Sequence, residues 1–259
     1  MNSPIPILVF HKIDSRFEWG LTRISPKRFQ RVMQFLYEEG YRTVSLEQVC
    51  HSSVLLPEKP VVITFDDSYE SVYSYAFPIM AKYGFTGTIF VITGYVGKKN
   101  AWDVNLGGIT FSHLSWEQLR FLSNASFEIG SHTVHHPDLT RIPLPLVEKE
   151  LSDSKKMLED QLSRKVRFIS FPFGRYNTQV LAMAQKCGYE RGVGFWTHSD
   201  DEKALVFERR AVYLFDGLWN IKAKLTRTFW TEWEDVKLRV INFFSHGTAL
   251  VKSSMDQTW

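Results

Sequence analysis

Two cysteines, Cys50 and Cys187, are the only thiols in 259 residues. So few in a chain this long exclude a disulfide-stapled secreted scaffold and read as ordinary reduced residues. No stretch approaches the ~18 uninterrupted apolar residues of a membrane-spanning helix, so none is expected. The opening MNSPIPILVFHKID lacks the positive segment and long apolar core of a secretory signal. The expected location is therefore cytoplasmic, including the inner membrane face, unless a leader has been removed. No long basic run appears either. Lys and Arg total 31 against 28 acids, a net charge of +3, and no nucleic-acid partner is expected. Internal repeats and low-complexity linkers are missing, so residues 1–259 read as one domain.

What remains is a folding chain, 44% hydrophobic and 23% charged. Aromatics reach 15%, with 20 Phe, 10 Tyr and 8 Trp, which suits a sugar-binding cleft and an α/β core equally. Short strand-like runs (IPILVF, YRTVSL, PVVITF, GTIFVI, FEIG, VRFISF, YERGVGF, FERRAVYL) alternate with helical segments. SPKRFQRVMQFLYEEG has Ser25 as N-cap, Pro26 at the first helical position and Gly40 as a stop. SYESVYSYAFPIMAKYG ends at Gly84, with Pro78 as a kink. SWEQLRFL opens on a Ser115/Gln118 capping box, and LPLVEKELSDSKKMLEDQL and TQVLAMAQKCG are helical. A βα unit repeated about seven times predicts a parallel sheet covered by helices. The length favours a closed or nearly closed, TIM-like barrel, with residues 217–259 a helical tail packing on it.

In such folds chemistry sits at the carboxyl ends of strands. The polar residues there are His11 after ILVF, Asp66 and Asp67 after VVITF, His132 after FEIGS, and PFGR after FISF. His132 and His136 are four apart, which brings two imidazoles together if the segment turns helically. With Asp67 they make two imidazoles and a carboxylate, an open catalytic type of metal set. Each piece also has a plain reading: strand-end capping for the aspartates, a polar surface loop for the histidines, a simple turn for PFG.

TFDD followed by HTVHHP and FPFGRYN resembles the polysaccharide deacetylases of carbohydrate esterase family 4, which share the NodB homology domain. The resemblance runs from about Pro6 to Tyr213 and leans toward the branch acting on poly-N-acetylglucosamine. It implies a distorted (β/α)7 barrel and a hydrolase that removes N-acetyl groups from a polysaccharide or lipid-linked sugar. It implies Asp66 as catalytic base and Asp67, His132 and His136 as ligands of one divalent metal, Zn first, with Ni, Co or Fe as alternatives. His11 matches the general acid, and the Phe173 N–H matches an oxyanion donor. Ser68 departs from the usual Gly, and Ser170 stands in the place of the family's arginine. Arg210 is ranked first to orient the base, ahead of Arg209 and Arg175. Trp102, Asp103 and Trp196 are expected to contact the sugar, and the aromatic, partly basic tail is a candidate for peripheral membrane contact. A metal-dependent amidase on a non-sugar C–N bond and an inactive carbohydrate-binding relative are the competing readings. A two-carboxylate glycosidase fits adjacent aspartates poorly, because it needs its carboxyls ~5–10 Å apart.

Overall fold

Short apolar strands that cannot face water on either side need helices outside and one another inside, and the architecture follows from that. The computed structural model describes residues 5–16, 22–51, 55–100, 110–195, 197 and 205–226. Its strands are β1 (Ile7–Phe10), β2 (Lys12–Ile13), β3 (Arg23–Ile24), β4 (Arg42–Thr43), β5 (Pro60–Phe65), β6 (Thr88–Val91), β7 (Glu128–Ser131), β8 (Phe168–Ser170), β9 (Arg191–Gly194), β10 (Val206–Glu208) and β11 (Arg210–Ala211). The main sheet runs β10-β9-β8-β7-β6-β5-β1-β11, and its pairings are parallel. β4 lies against β5, and β2 and β3 form a separate pair.

Only Arg209 separates β10 from β11. One extended segment therefore pairs with β9 through its first half and with β1 through its second, and so closes the ring. Taking that segment as one stave leaves seven positions, the distorted (β/α)7 barrel.

Strand alternation sorts the core into two layers. Leu8, Phe10, Ile63 and Phe65 point outward and pack with Phe29, Val32 and Leu36 of α1 (Pro26–Glu38). Ile7, Val62, Phe90, Phe168 and Val193 point inward and fill the barrel floor. Each such side chain contributes about 1.5–3 kcal/mol on burial. Gly130 of β7 leaves room for that floor: a Cβ there would lie 2.4 Å from the Phe90 ring.

Most helices begin and end as the sequence predicts. Ser25 Oγ accepts the Arg28 N–H, Pro26 opens α1, and Gly40 follows it at φ +84°. The Ser115/Gln118 capping box forms at α4 (Trp116–Asn124). The outer barrel also carries α2 (Leu46–Cys50), α3 (Phe77–Ala81), α5 (Leu144–Leu162), α6 (Thr178–Lys186) and α7 (Leu218–Leu225). Two segments differ. YRTVSL yields only the short β4, because Ser45 and Gln48 form a capping box that starts α2. The helix before Gly84 opens with a π turn over Val72–Ala76, in which the Phe77 N–H reaches Val72 O. Pro78 cannot donate to the preceding turn, and the chain tightens to α only from Phe77.

Of the predicted tail, α7 packs on the barrel, anchored by a buried Lys224–Asp216 pair at 3.1 Å. The rest, from residue 227, lies outside the described residues. Among those described, no helix is long and apolar enough to cross a membrane. Cys50 and Cys187 are both free thiols.

Candidate active site

The inward face that begins with apolar residues at the barrel floor ends in polar ones at the rim. On β5 the inward series is Val62, Thr64, Asp66. On β8 it is Phe168, Ser170, and on β7 it passes Gly130 to His132. The strand alternation thus delivers Asp66, His132 and Ser170 to one mouth, and all three are buried. His11 extends the Ile7, Val9 series of β1 to the same place.

Asp67 follows Asp66 with φ 65°, and Ser68 with φ 51°. Two consecutive left-handed residues reverse the chain just past the strand, which is unfavourable for non-glycine residues by roughly 1–2 kcal/mol each. The turn is held from outside. His113 Nδ1 lies 2.6 Å from the Asp67 carbonyl oxygen, and the Leu114 N–H donates to the Ser68 carbonyl at 2.8 Å. A carbonyl only accepts, so His113 carries its proton on Nδ1. Its ring stacks on Tyr69 at 5.0 Å. Nothing in the sequence marked His113 as part of the site. The Ser68 hydroxyl is buried and has no hydrogen-bond partner among the described residues.

The histidine segment is not helical. Thr133 (φ 68°) and His136 (φ 60°) bend it instead, and this brings the His132 and His136 rings to 4.7 Å, edge to face. Glu150 of α5 fixes the loop by accepting the Val134 and His135 N–H groups at 2.8 and 2.9 Å. Gly94 N–H donates to Val134 O, and a Cβ on Gly94 would come within 2.6 Å of that oxygen.

Asp67, His132 and His136 present ligand atoms that all lie within 4.8 Å of one another. His132 Nε2 stands 3.4 Å and His136 Nε2 3.8 Å from Asp67 Oδ1. These gaps are long for hydrogen bonds. They suit donors around a cation at ~2.0–2.2 Å, whose tetrahedral edges are about 3.3–3.6 Å. His132 Nδ1 faces the Ser170 carbonyl at 2.7 Å, which protonates Nδ1 and turns the Nε2 lone pair inward. Burial pushes the Asp67 carboxyl up, but the contact with His132 and the charges of His11, His136 and His132 reverse this and hold it well below the usual range. Burial lowers His132, yet the Asp66 charge and then Asp67 carry it above the usual value.

Asp66 sits in a different set of contacts. Arg209 grips it in a fork, Nη1 to Oδ1 at 2.7 Å and Nη2 to Oδ2 at 2.8 Å. The Ser170 hydroxyl donates to Oδ2 at 3.1 Å and accepts from Arg209 Nη2 at 2.9 Å. Arg210, the arginine ranked first from sequence, is elsewhere: its guanidinium donates to the Ala223 and Lys224 carbonyls of α7. The reason is alternation. Ala211 and Tyr213 point inward with Val9, so Arg209 shares their face and Arg210 points out. Arg175 is tied to Asp138 at 2.7 Å.

Phe173 occupies φ 59° in the turn after β8, with its ring 4.8 Å from that of His136. Its N–H has no acceptor among the described hydrogen bonds. His11 Nδ1 is buried and has no hydrogen-bond partner among the described residues. Burial pushes its imidazole down, opposed by the charges of Asp67 and Asp66. Trp102, Asp103 and Trp196 lie outside the described residues.

A family model described as polysaccharide deacetylase matches residues 54–192. The putative polysaccharide deacetylase YxkH of Bacillus subtilis is 34% identical over 195 residues, 73% of this chain and 63% of that protein. The poly-β-1,6-N-acetyl-D-glucosamine N-deacetylase of Staphylococcus aureus is 24% identical over 202 residues, 74% of this chain and 66% of that one. The alignments thus span a little under two thirds of these relatives. Among solved structures, the Streptococcus pyogenes deacetylase PplD in complex with acetate superposes with a TM-score of 0.74 at 29% identity, covering 86% of this chain and 98% of that one. The IcaB structure from Ammonifex degensii, at 24% identity and TM-score 0.71, covers 85% and 96% and shares the fold. On the family match, which spans just over half of its residues, this chain belongs to the polysaccharide deacetylase family.

Proposed function

We propose that the chain is a metal-dependent N-deacetylase that hydrolyses the acetamide of N-acetylhexosamine units in a polysaccharide or lipid-linked sugar and releases acetate. The observation that carries this is the division of labour between adjacent aspartates. Asp67 belongs to the metal-type trio with His132 and His136, while Asp66 is held apart by Arg209 and Ser170. The acetate in the Streptococcus structure is the product this reaction would give.

Two neutral imidazoles and one carboxylate fit Zn, or a similar divalent ion, with positions left open. A divalent ion held by Asp67, His132 and His136 would supply Lewis-acid polarisation of the acyl group and a more acidic water. Asp66 accepts the proton from the attacking water, its carboxylate kept ionised by the Arg209 fork. The Phe173 N–H donates to the acyl oxygen as negative charge develops, a contact of a kind worth about 3 kcal/mol. As charge builds on the substrate, the proton that Asp66 took from water passes to His11, which delivers it to the sugar nitrogen as the C–N bond breaks, so both groups end as they began. Burial favours the neutral ring in the resting site. The charge growing on the substrate is what raises its proton affinity when the acid is needed. Substrate contacts by Trp102, Asp103 and Trp196 remain part of this proposal.

The test is acetate release from N-acetylglucosamine oligomers before and after chelation. Release that chelation abolishes and added Zn restores is expected. Metal bound stoichiometrically with no acetate from any acetylated sugar would sink the reading in favour of a non-sugar amidase or an inactive binder.

His113 should matter to the metal without touching it, because it holds the strained backbone of Asp67. His113→Phe keeps the stacking on Tyr69 and removes the donor. Zinc affinity, read by competition with a chromogenic chelator, should fall about 10–100-fold, the usual effect of losing a support behind a ligand. His113→Asn, whose Nδ2 replaces the imidazole Nδ1, should restore most of it. Equal affinity in the Phe variant and the parent would remove His113 from this role.

A further inference from the structure

Each backbone N–H from His132 to His136 has an acceptor among the described residues. His132 donates to Val91 O at 2.8 Å, within the sheet. Val134 and His135 donate to the Glu150 carboxylate, and His136 donates to Thr133 Oγ1 at 3.0 Å. Thr133, the left-handed residue after the first histidine, donates to Ser131 Oγ at 3.1 Å. A carbonyl or a carboxylate presents only lone pairs. A serine hydroxyl can turn either a lone pair or its proton to the same place, so what else Ser131 meets decides whether it can hold Thr133.

Ser131 alternates with the inward His132 and faces α5. Its Oγ lies 2.7 Å from Ser154 Oγ, which in turn lies 3.3 Å from Tyr189 OH. Both of these hydroxyls reach Leu151 O, Ser154 at 3.0 Å and Tyr189 at 2.9 Å. A carbonyl only accepts, so both donate there, and Ser154 Oγ is left to accept from Ser131. The Ser131 proton is thereby turned toward α5 and a lone pair toward the Thr133 N–H. Ser131, Thr133, Ser154 and Tyr189 are all buried. Packing alone favours neither of the two outer residues. Ser154 stands inside α5, where alanine is the better helix former. Tyr189 buries a hydroxyl that phenylalanine would not have to satisfy.

We propose that Ser154 and Tyr189 are positioning residues for the metal-type trio. Acting through Ser131, they hold Thr133 in its left-handed turn and so fix the separation of His132 and His136. With Glu150, one turn earlier on the same helix, they make α5 the platform on which the second histidine is placed. The proposal rests on the metal part of the reading above and not on its sugar substrate.

Ser154→Ala and Tyr189→Phe each delete one hydroxyl and leave the packing in place. In the full chain, zinc affinity read by competition with a chromogenic chelator should fall about five- to tenfold in each variant, as for one hydrogen bond lost behind a ligand. The visible absorption of the Co(II)-loaded protein should change as well, because the ligand spacing moves. Ser154→Cys, whose thiol is a weak donor and a weak acceptor, should fall between the parent and the alanine variant. The melting temperature of the metal-free chain is measured beside these. Substitutions that lower it, or leave it alone, while zinc affinity and the Co(II) spectrum stay those of the parent would make the hydroxyls ordinary core groups and overturn the proposal. Zinc binding weakened in both variants, with no acetylated sugar hydrolysed by the parent, leaves the positioning standing and removes the deacetylase reading. A parent that binds no zinc overturns both.

Discussion

Asp66→Asn is expected to lower kcat by about 10²–10⁴-fold, the span of a general base, which is ~3–5 kcal/mol of barrier. Zinc binding should survive, because Asp66 is not among the three residues that group as ligands. The substitution changes little in shape but removes the charge that faces Arg209 and puts an amide N–H₂ where one fork oxygen accepted. Some loss of stability is therefore built in, and melting temperature has to be measured beside rate. The contrast variant is Asp67→Ala, which should lose the metal and the activity together. A folded, zinc-loaded Asp66→Asn protein turning over within tenfold of the parent would remove Asp66 as base. The pair would then be two supports of one metal site.

The portion of this site that could be read beforehand is the portion that lies in contiguous motifs. TFDD and HTVHHP keep the proposed base and the metal-type trio within a few residues of strand ends, where a periodicity argument suffices to place them on one rim. The barrel was legible for a similar reason: βα alternation and glycine or serine punctuation are local signals. Contacts set by register were not legible. FERRAVYL offers two adjacent arginines, and only the pairing of Leu8 with Arg210 and Val9 with Ala211 decides which faces inward. His113 is a lone histidine before a capping box, and its role depends on an antiparallel bridge to Tyr69. The histidine loop came together for a different reason than the helical one expected. Two positive-φ residues do the work there, and nothing in HTVHHP marks them as such. Ser170 was noted only as a missing arginine, yet its hydroxyl is part of what replaces that arginine.

Arg209→Met should reduce stability by about 3–5 kcal/mol at neutral pH, because it leaves a buried carboxylate without its counter-charge. The side chain is 1% exposed, and its fork to Asp66 is the shortest polar contact it makes. The direction with pH follows from the Asp66 carboxyl. Burial pushes it up, but the charge of Arg209, then that of His132 and the fork itself, bring it below the usual value. A depressed carboxyl stabilises the fold above its unfolded pKa, ~3.9, and that contribution is lost as pH falls through the folded value. The deficit of the variant should thus be largest at neutral pH and shrink in acid. Without Arg209 the largest influence on Asp66 is burial, opposed by the histidines and the Ser170 hydroxyl, so its pKa rises. A base that must be ionised then fails sooner on the acid side, and the acid limb of kcat/KM should move to higher pH. Arg209→Lys keeps a charge but loses the fork, and should fall between parent and Met in both measurements. Urea unfolding at neutral and mildly acid pH, with the pH profile of acetate release, checks both halves. A deficit that stays constant with pH and an acid limb that does not move would make Arg209 a packing residue at the seam where β10 passes into β11, with no part in holding the base.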